Sequence, residues 1–158
     1  MLAHKLPTRD AEEMLAAGLA RAKAEAKPVF LDIGASWCGP CRRLGRFLDA
    51  NREELERCYV FVKLDLSRDA HAPAIKERYE AKDAMNGVPW YVILDADVGT
   101  LITSNLKEGA AGDSHLTNIG FPSSKIGIDH LMEMLKQTAP GMPDETLAGL
   151  RRQLEKAP

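Results

Sequence analysis

The chain has 158 residues, which corresponds to about one domain. Hydrophobic residues make up 45% of it and charged residues 28%, the balance of an ordinary globular protein, so a disordered or collagen-like chain is excluded. With 21 Lys and Arg against 23 Asp and Glu, the net charge of −2 provides no basic field for nucleic acid or anionic lipid. No apolar run approaches the roughly 18 residues of a membrane span.

The hydrophobic spacing predicts helices and strands that alternate along the chain. The predicted helices are 10–26, 39–51, 69–79, 128–138 and 143–156, and the predicted strands are 29–33, 59–66, 90–94 and 100–104. Asp10 and Glu13 fit a capping box at the first helix, and the last two strands are close enough to form an antiparallel hairpin. We therefore predict an α/β fold in which helices flank a mixed central β-sheet, with an extra C-terminal helix. The whole chain, 1–158, is interpreted as one domain with its core at about 27–138.

Two cysteines lie where the strand 29–33 leads into a helix, in the sequence Trp37-Cys38-Gly39-Pro40-Cys41. Thiols at this spacing can close a small disulfide ring. The free N–H groups and the dipole of a helix start favour a thiolate, which is the nucleophilic form. We predict that Cys38 is the exposed, attacking sulfur. Cys41, one turn further on, is predicted to be the buried sulfur that closes the ring and expels the partner.

Two non-redox uses of this cysteine pair compete with redox chemistry. The two thiols could be buried and simply fill space, or the pair could be half of a zinc site. Zinc needs four ligands, and the sequence contains no second Cys-x-x-Cys and no His-x-x-x-His to supply the others. Redox chemistry is therefore the favoured interpretation, and no metal is expected.

The same five residues match the active-site pentapeptide of the thioredoxin superfamily letter for letter, and the resemblance extends further. Asp32 occupies the position of the family's buried strand aspartate, and Lys63 that of a lysine near this carboxylate. The sequence Gly87-Val88-Pro89 resembles the family's cis-proline loop. The resemblance covers about 27–104 well and 128–138 moderately.

This resemblance implies a thioredoxin-like fold and a set of site residues. It assigns catalysis to Cys38, Cys41 and Asp32, substrate binding to Trp37, Gly39, Pro40, Val88 and Pro89, and a supporting role to Lys63. Asp32 has apolar neighbours, so its pKa should be raised and it could exchange a proton with Cys41. A cis bond at Pro89 would leave the backbone of Val88 free to pair with an extended substrate, although the local sequence alone favours the commoner trans bond.

The sequence also departs from the family pattern. Trp90 stands where a threonine is more usual, so we expect a substrate groove of different shape. Arg42 and Arg43 follow the second cysteine and could favour acidic partners, or they could only form a solvated face.

The remaining cysteine and the histidines carry no motif. Cys58 is expected to be a buried, inert thiol, with a regulatory or dimer-forming role as the alternative. The four histidines, at positions 4, 71, 115 and 130, are scattered and are expected at the surface.

Together these features predict a thiol–disulfide oxidoreductase that takes part in cell redox homeostasis and electron transport. The Gly-Pro pair between the cysteines resembles that of the reducing thioredoxins, whereas isomerases and oxidases of the superfamily usually have a histidine before the second cysteine. The resemblance therefore implies a protein-disulfide reductase rather than an isomerase or oxidase of an oxidising compartment. A redox-silent binding module and an iron–sulfur carrier are competing hypotheses, although two ligands per chain are few for a cluster. We expect that no cofactor is bound and that the substrates are proteins that contain disulfide bonds. We also expect a thioredoxin reductase or membrane reductase as electron donor, and a monomer that binds neither nucleic acid nor membrane.

The first residues show no signal-peptide pattern, so we expect a cytoplasmic protein. The alternative is the periplasm, with a leader that this sequence does not include.

A long segment, 105–127, follows the hairpin where thioredoxins have a short loop. If the strand 90–94 runs antiparallel to the strand 29–33, this segment emerges next to the thiols. We therefore predict that it determines substrate specificity, with Leu116, Ile119 and Phe121 packing it down or meeting a partner. The alternative is an insertion that points into solvent.

Overall fold

The computed structural model describes residues 9–81, 87–106 and 117–157. Its strands form one mixed sheet in the order β2-β1-β3-β4. The strands are β1 Val29–Gly34, β2 Val60–Asp65, β3 Trp90–Asp95 and β4 Gly99–Thr103. β1 pairs in parallel with β2 and antiparallel with β3, and β3 forms the predicted hairpin with β4. The predicted mixed sheet is therefore confirmed.

Helices cover both faces of this sheet. The helices are α1 Ala11–Glu25, α2 Gly39–Ala50, α3 Arg52–Glu56, α4 Ala72–Tyr79, α5 Lys125–Thr138 and α6 Asp144–Lys156. One face packs its apolar side chains against α1 and α4, and the other packs against α2, α3, α5 and α6. Every residue of β1 is buried, as expected for a central strand with both faces covered. The extra C-terminal helix, α6, is present and buries Leu147, Leu150 and Leu154.

Two helix starts differ from the sequence predictions. The helix predicted from residue 128 begins at Lys125, because the hydroxyl of Ser124 caps it and accepts from the N–H of Gly127 at 3.1 Å. The helix predicted from residue 69 begins at Ala72 instead. The reason is that the buried carboxylate of Asp69 accepts from the N–H of Asp65 at 2.8 Å and closes the turn after β2. At α1, by contrast, Asp10 caps the helix as expected, and its carboxylate accepts from the N–H of Glu12 at 2.8 Å.

The short helix α3 was missed because its five residues are too few for a periodic apolar pattern. Among the described helices, none is long and apolar enough to cross a membrane.

Candidate active site

The two cysteines lie at the first turn of α2 and form a disulfide, with their Cα atoms 5.2 Å apart. Cys38 is the N-cap residue, and its Sγ accepts a hydrogen bond from the N–H of Cys41 at 3.2 Å. Pro40 lies in the first turn, where its missing N–H costs no helical hydrogen bond. The helix start thus places N–H groups and the positive end of the dipole beside the sulfur of Cys38, which favours its thiolate.

The predicted difference in exposure between the two cysteines is wrong for the disulfide form. Cys38 is 5% exposed and Cys41 is 7% exposed. Both pack in a small cluster with Ala35 and Val88, because ring closure holds the Cys38 sulfur against the start of the helix. The two sulfurs are distinguished by position: Cys38 caps the helix, and Cys41 lies inside its first turn.

Two arginines, Arg42 and Arg43, follow Cys41 in α2. α2 has no acidic residue in its first turn. Arg42 is exposed and donates to the carbonyl oxygen of Ser36 at 2.9 Å, and the guanidinium of Arg43 lies 4.2 Å from the ring centre of Phe121. Arg42 is thus bound to the loop that leads into α2, whereas Arg43 lies against the core residue Phe121.

Asp32 lies in the middle of β1 and is only 4% exposed. Its register partners are Lys63 on β2 and Tyr91 on β3. Burial raises the pKa of Asp32 to about 6, and the nearby positive charge of Lys63 acts in the opposite direction. Burial, together with the negative charge of Asp32, raises the pKa of Tyr91 well above its ordinary value. The carboxyl group therefore titrates near neutral pH, where it can accept and release a proton.

A cavity of about 480 Å³ joins this carboxyl group to the disulfide. Asp32, Cys41 and Lys63 all line it, and at its rim Arg9 forms an ion pair of 2.8 Å with Asp69. Asp32 and Cys41 therefore share a cavity with polar lining residues, through which a proton could pass between them.

The Val88–Pro89 peptide bond is cis, as the family resemblance implies. In the disulfide form the Sγ of Cys38 lies 3.7 Å from the carbonyl oxygen of Val88. The backbone at Val88 is therefore close enough to the sulfur that an extended segment attached there would also meet it.

The two tryptophans near the site have opposite environments. Trp37 is 70% exposed beside the disulfide. Trp90 is fully buried, and its indole N–H donates to the Oδ1 of Asn105 at 2.7 Å. The expectation that Trp90 reshapes the substrate groove is therefore wrong: its side chain packs in the core on the α1 and α4 side of the sheet.

The described ends of the segment 105–127, which we call the long insertion, lie beside the turn at residues 87–89, as the sequence predicted. The N–H of Leu106 donates to the carbonyl oxygen of Thr117 at 2.7 Å. The side-chain amide of Asn118 donates to the carbonyl oxygen of Pro89 at 2.9 Å. Phe121 is buried in the core and Ile119 packs against it. Leu116, the third apolar residue named for this segment, lies outside the described residues.

The remaining sequence expectations have mixed outcomes. Cys58 is only half-buried, so its predicted full burial is wrong, although burial does raise the pKa of its thiol and makes it less reactive.

His71 is exposed, whereas His130 is half-buried and hydrogen-bonds to the carbonyl oxygen of Thr103 at 2.8 Å. Histidines 4 and 115 lie outside the described residues. Where the chain is described, no three His, Cys, Asp or Glu side chains gather as metal ligands.

Sequence reasoning missed Asn118, which contacts the Pro89 turn, and Asp69, which lines the cavity. Asn118 follows no periodic pattern, and its partners in that turn, Gly87 and Pro89, are about thirty residues away in the sequence. The only signal for it was the predicted position of the insertion.

A disulfide at a helix start, a buried strand aspartate and a cis-proline turn on a mixed sheet are together typical of thiol–disulfide oxidoreductases. A protein-family model described as Thioredoxin-like matches residues 10–96. The match spans more than half of the chain, and the protein belongs to this thioredoxin-like family.

Curated relatives support the family over shorter segments. The chain is 34% identical to an H-type thioredoxin of Chlamydomonas reinhardtii over 50 residues, 32% of this chain and 44% of that protein. It is 45% identical to a thioredoxin of Porphyra purpurea over 38 residues, 24% of this chain and 36% of that protein. These matches span less than half the length of either relative.

A solved structure of a disulphide isomerase from Xylella fastidiosa Temecula1 is similar over 98% of this chain and 100% of that chain, with a TM-score of 0.54. At 20% identity, this likeness shows the fold alone.

Proposed function

We propose that the protein is a thiol–disulfide reductase that reduces disulfide bonds in partner proteins. The observation that carries this proposal is the position of Cys38, which caps α2, accepts the N–H of Cys41 and lies 3.7 Å from the Val88 carbonyl oxygen. One sulfur thus lies both at the positive end of a helix and beside the backbone that could hold a substrate.

In the reduced protein, the Cys38 thiolate attacks one sulfur of the partner's disulfide. A bond forms between Cys38 and the partner, the partner's S–S bond breaks, and the departing thiolate takes a proton from solvent. Cys41 then gives its proton to the Asp32 carboxylate and attacks the Cys38 sulfur. The ring closes, the partner leaves as a second thiolate, and two electrons have passed from Cys38 and Cys41 to the partner.

The residues near the sulfurs support this sequence of steps. Asp32 and Cys41 line the same cavity, and the pKa of Asp32 is about 6, so the carboxyl group is suited to take a proton near pH 7. The exposed indole of Trp37 and the backbone at Val88 are proposed to contact the substrate. Lys63 supports the charge on Asp32.

The proposed direction, reduction rather than oxidation, rests on the Gly39-Pro40 pair and the absence of a histidine before Cys41. A thioredoxin reductase or a membrane reductase would return the electrons. We also propose that the protein acts as a monomer in the cytoplasm.

The test is insulin reduction with dithiothreitol as the electron source, followed by turbidity. We expect the wild-type protein and Cys58→Ser to accelerate reduction equally, and the double variant Cys38→Ser, Cys41→Ser to be inactive. An inactive wild-type protein would indicate a redox-silent binding module. Iron or zinc in stoichiometric amounts in the purified protein would instead indicate a metal carrier.

A further inference from the structure

Asn118 joins the long insertion to the turn formed by residues 87–89, which we call the 87–89 loop. Its Nδ2 donates to the carbonyl oxygen of Gly87 at 3.1 Å and to that of Pro89 at 2.9 Å. Its Oδ1 accepts from the hydroxyl of Ser104 at 2.7 Å and from the N–H of Gly120 at 3.2 Å. One half-buried side chain thus uses both its donors and both its acceptor positions.

The partners fix which way this amide points. Carbonyl oxygens only accept hydrogen bonds, so the NH₂ group must face Gly87 and Pro89, and the oxygen must face the N–H of Gly120. The reverse orientation would set an oxygen against two carbonyl oxygens. The contacts therefore depend on an amide, and a carboxylate of the same shape could not replace it.

The segment around Asn118 is itself held in place. Gly120 has a left-handed backbone (φ 59°), and a Cβ built on it would lie 3.9 Å from the ring of Pro89, so the chain turns close against that proline. The hydroxyl of Tyr91 donates to the carbonyl oxygen of Gly120 at 3.0 Å, and a β-bridge joins Asn105 to Asn118. The amide is therefore fixed relative to the sheet.

The two carbonyl groups that Asn118 holds lie on either side of Val88. The Val88 carbonyl oxygen is 3.7 Å from the Cys38 Sγ, and Val88 packs against the cysteines. Fixing the backbone before and after Val88 fixes the distance between this residue and the reactive sulfur. A small disulfide needs only the sulfur, whereas an extended peptide also needs the backbone at Val88.

We infer that Asn118 is a positioning residue for polypeptide substrates, because it holds the 87–89 loop at the place where a peptide disulfide must lie to meet Cys38. This inference rests on the proposed function. It assigns to the insertion a substrate-selecting role that acts through the loop rather than through direct chemistry.

The experiment compares kcat/KM for insulin with kcat/KM for bis(2-hydroxyethyl) disulfide, using the full chain. In Asn118→Asp, an oxygen faces the carbonyl oxygens of Gly87 and Pro89, so both hydrogen bonds are lost. We expect the ratio of the two values to fall about tenfold, mainly through a higher KM for insulin. Asn118→Gln keeps an amide donor and should recover part of the loss.

Asn51→Asp is the matched control. The Asn51 amide also donates to a backbone carbonyl, that of Phe47 at 2.8 Å, and to Gln153, far from the cysteines. This variant should keep the wild-type ratio. An unchanged ratio in Asn118→Asp, or an equal fall in Asn51→Asp, would overturn the inference while leaving the proposed function standing. A wild-type protein that reduces neither substrate would instead overturn the proposed function, and the inference with it.

A second measurement needs no variant. In the wild-type protein, the side-chain amide protons of Asn118 should show nuclear Overhauser effects to the α protons of Gly87 and Pro89. Their absence would overturn the inference even if the variants failed to fold.

Discussion

Asp32 and Lys63 are register partners on adjacent parallel strands, and both line the cavity that reaches Cys41. The ammonium group of Lys63 lowers the pKa of Asp32, but burial raises it more, and the result is a pKa of about 6 against an ordinary 3.8. Ionising the Asp32 carboxyl group therefore lowers the stability of the folded protein. The same group is well placed to exchange a proton with Cys41.

This raised pKa predicts how stability changes with pH. Between about pH 4 and pH 6 the folded protein holds the Asp32 proton while the unfolded chain has lost it, so the free energy of unfolding falls as pH rises and levels off above pH 6. The pKa values of about 6 and 3.8 correspond to a cost on the order of 3 kcal/mol. Urea unfolding of wild type and Asp32→Asn from pH 4 to pH 8 measures this cost. The variant should gain stability relative to wild type as pH rises, and a constant difference would refute the raised pKa.

The order of attack predicts which variant traps a partner. Cys41→Ser retains the helix-capping Cys38 and should accumulate a mixed disulfide, because nothing resolves it. Cys38→Ser should trap none and reduce no disulfide. Mass spectrometry after incubation with insulin identifies the trapped sulfur. Trapping through Cys41 in the Cys38→Ser variant would reverse the assignment.

Gly18 in α1 lies against β2 with no room for a side chain. A Cβ built there would be 2.3 Å from the Cγ2 of Val62, a buried and β-branched residue that cannot move aside easily. Gly18→Ala should therefore destabilise the fold by about 1–3 kcal/mol. Gly149→Ala in α6 is the control, because its new Cβ would meet only the end of the Arg152 side chain at 3.8 Å.

The control should be stabilised by roughly 0.5–1 kcal/mol, since alanine is the better helix former. Chemical unfolding of both variants checks the pair. Equal effects would show that helix propensity, rather than contact with Val62, decides the outcome at Gly18.

The insertion itself can be shortened without touching Asn118. Leu106 and Thr117 are joined by a backbone hydrogen bond of 2.7 Å, so a short Gly-Ser linker can replace residues 107–116. If these residues contribute to specificity, insulin reduction should slow several-fold relative to bis(2-hydroxyethyl) disulfide. An insertion that only points into solvent would leave both rates as they were.

The sequence was informative wherever a local pattern determines structure. The hydrophobic spacing predicted a strand at 29–33, and the Cys-x-x-Cys spacing after it predicted a disulfide at a helix start. The apolar neighbours of Asp32 were enough to predict that its side chain is buried and that its pKa is raised. Each of these properties depends on residues that are close in the chain.

Features that depend on distant residues could not be predicted in this way. The side-chain amide of Asn118 meets Gly87 only because the hairpin brings the insertion back to the same edge of the sheet. Trp90 was expected to change the shape of the substrate groove, but its position in β3 places its side chain on the covered face. The equal burial of the two cysteines follows from ring closure, which residue types alone do not specify.

The equilibrium reduction potential of the Cys38–Cys41 pair distinguishes a reductase from an isomerase or oxidase. It can be measured by titrating the protein against dithiothreitol redox buffers, with alkylation to count free thiols. A reductase should have a potential near that of reducing thioredoxins, roughly −270 mV. A value near the roughly −180 to −120 mV of isomerases and oxidases, or a pair that does not cycle reversibly, would contradict the proposed reductase function.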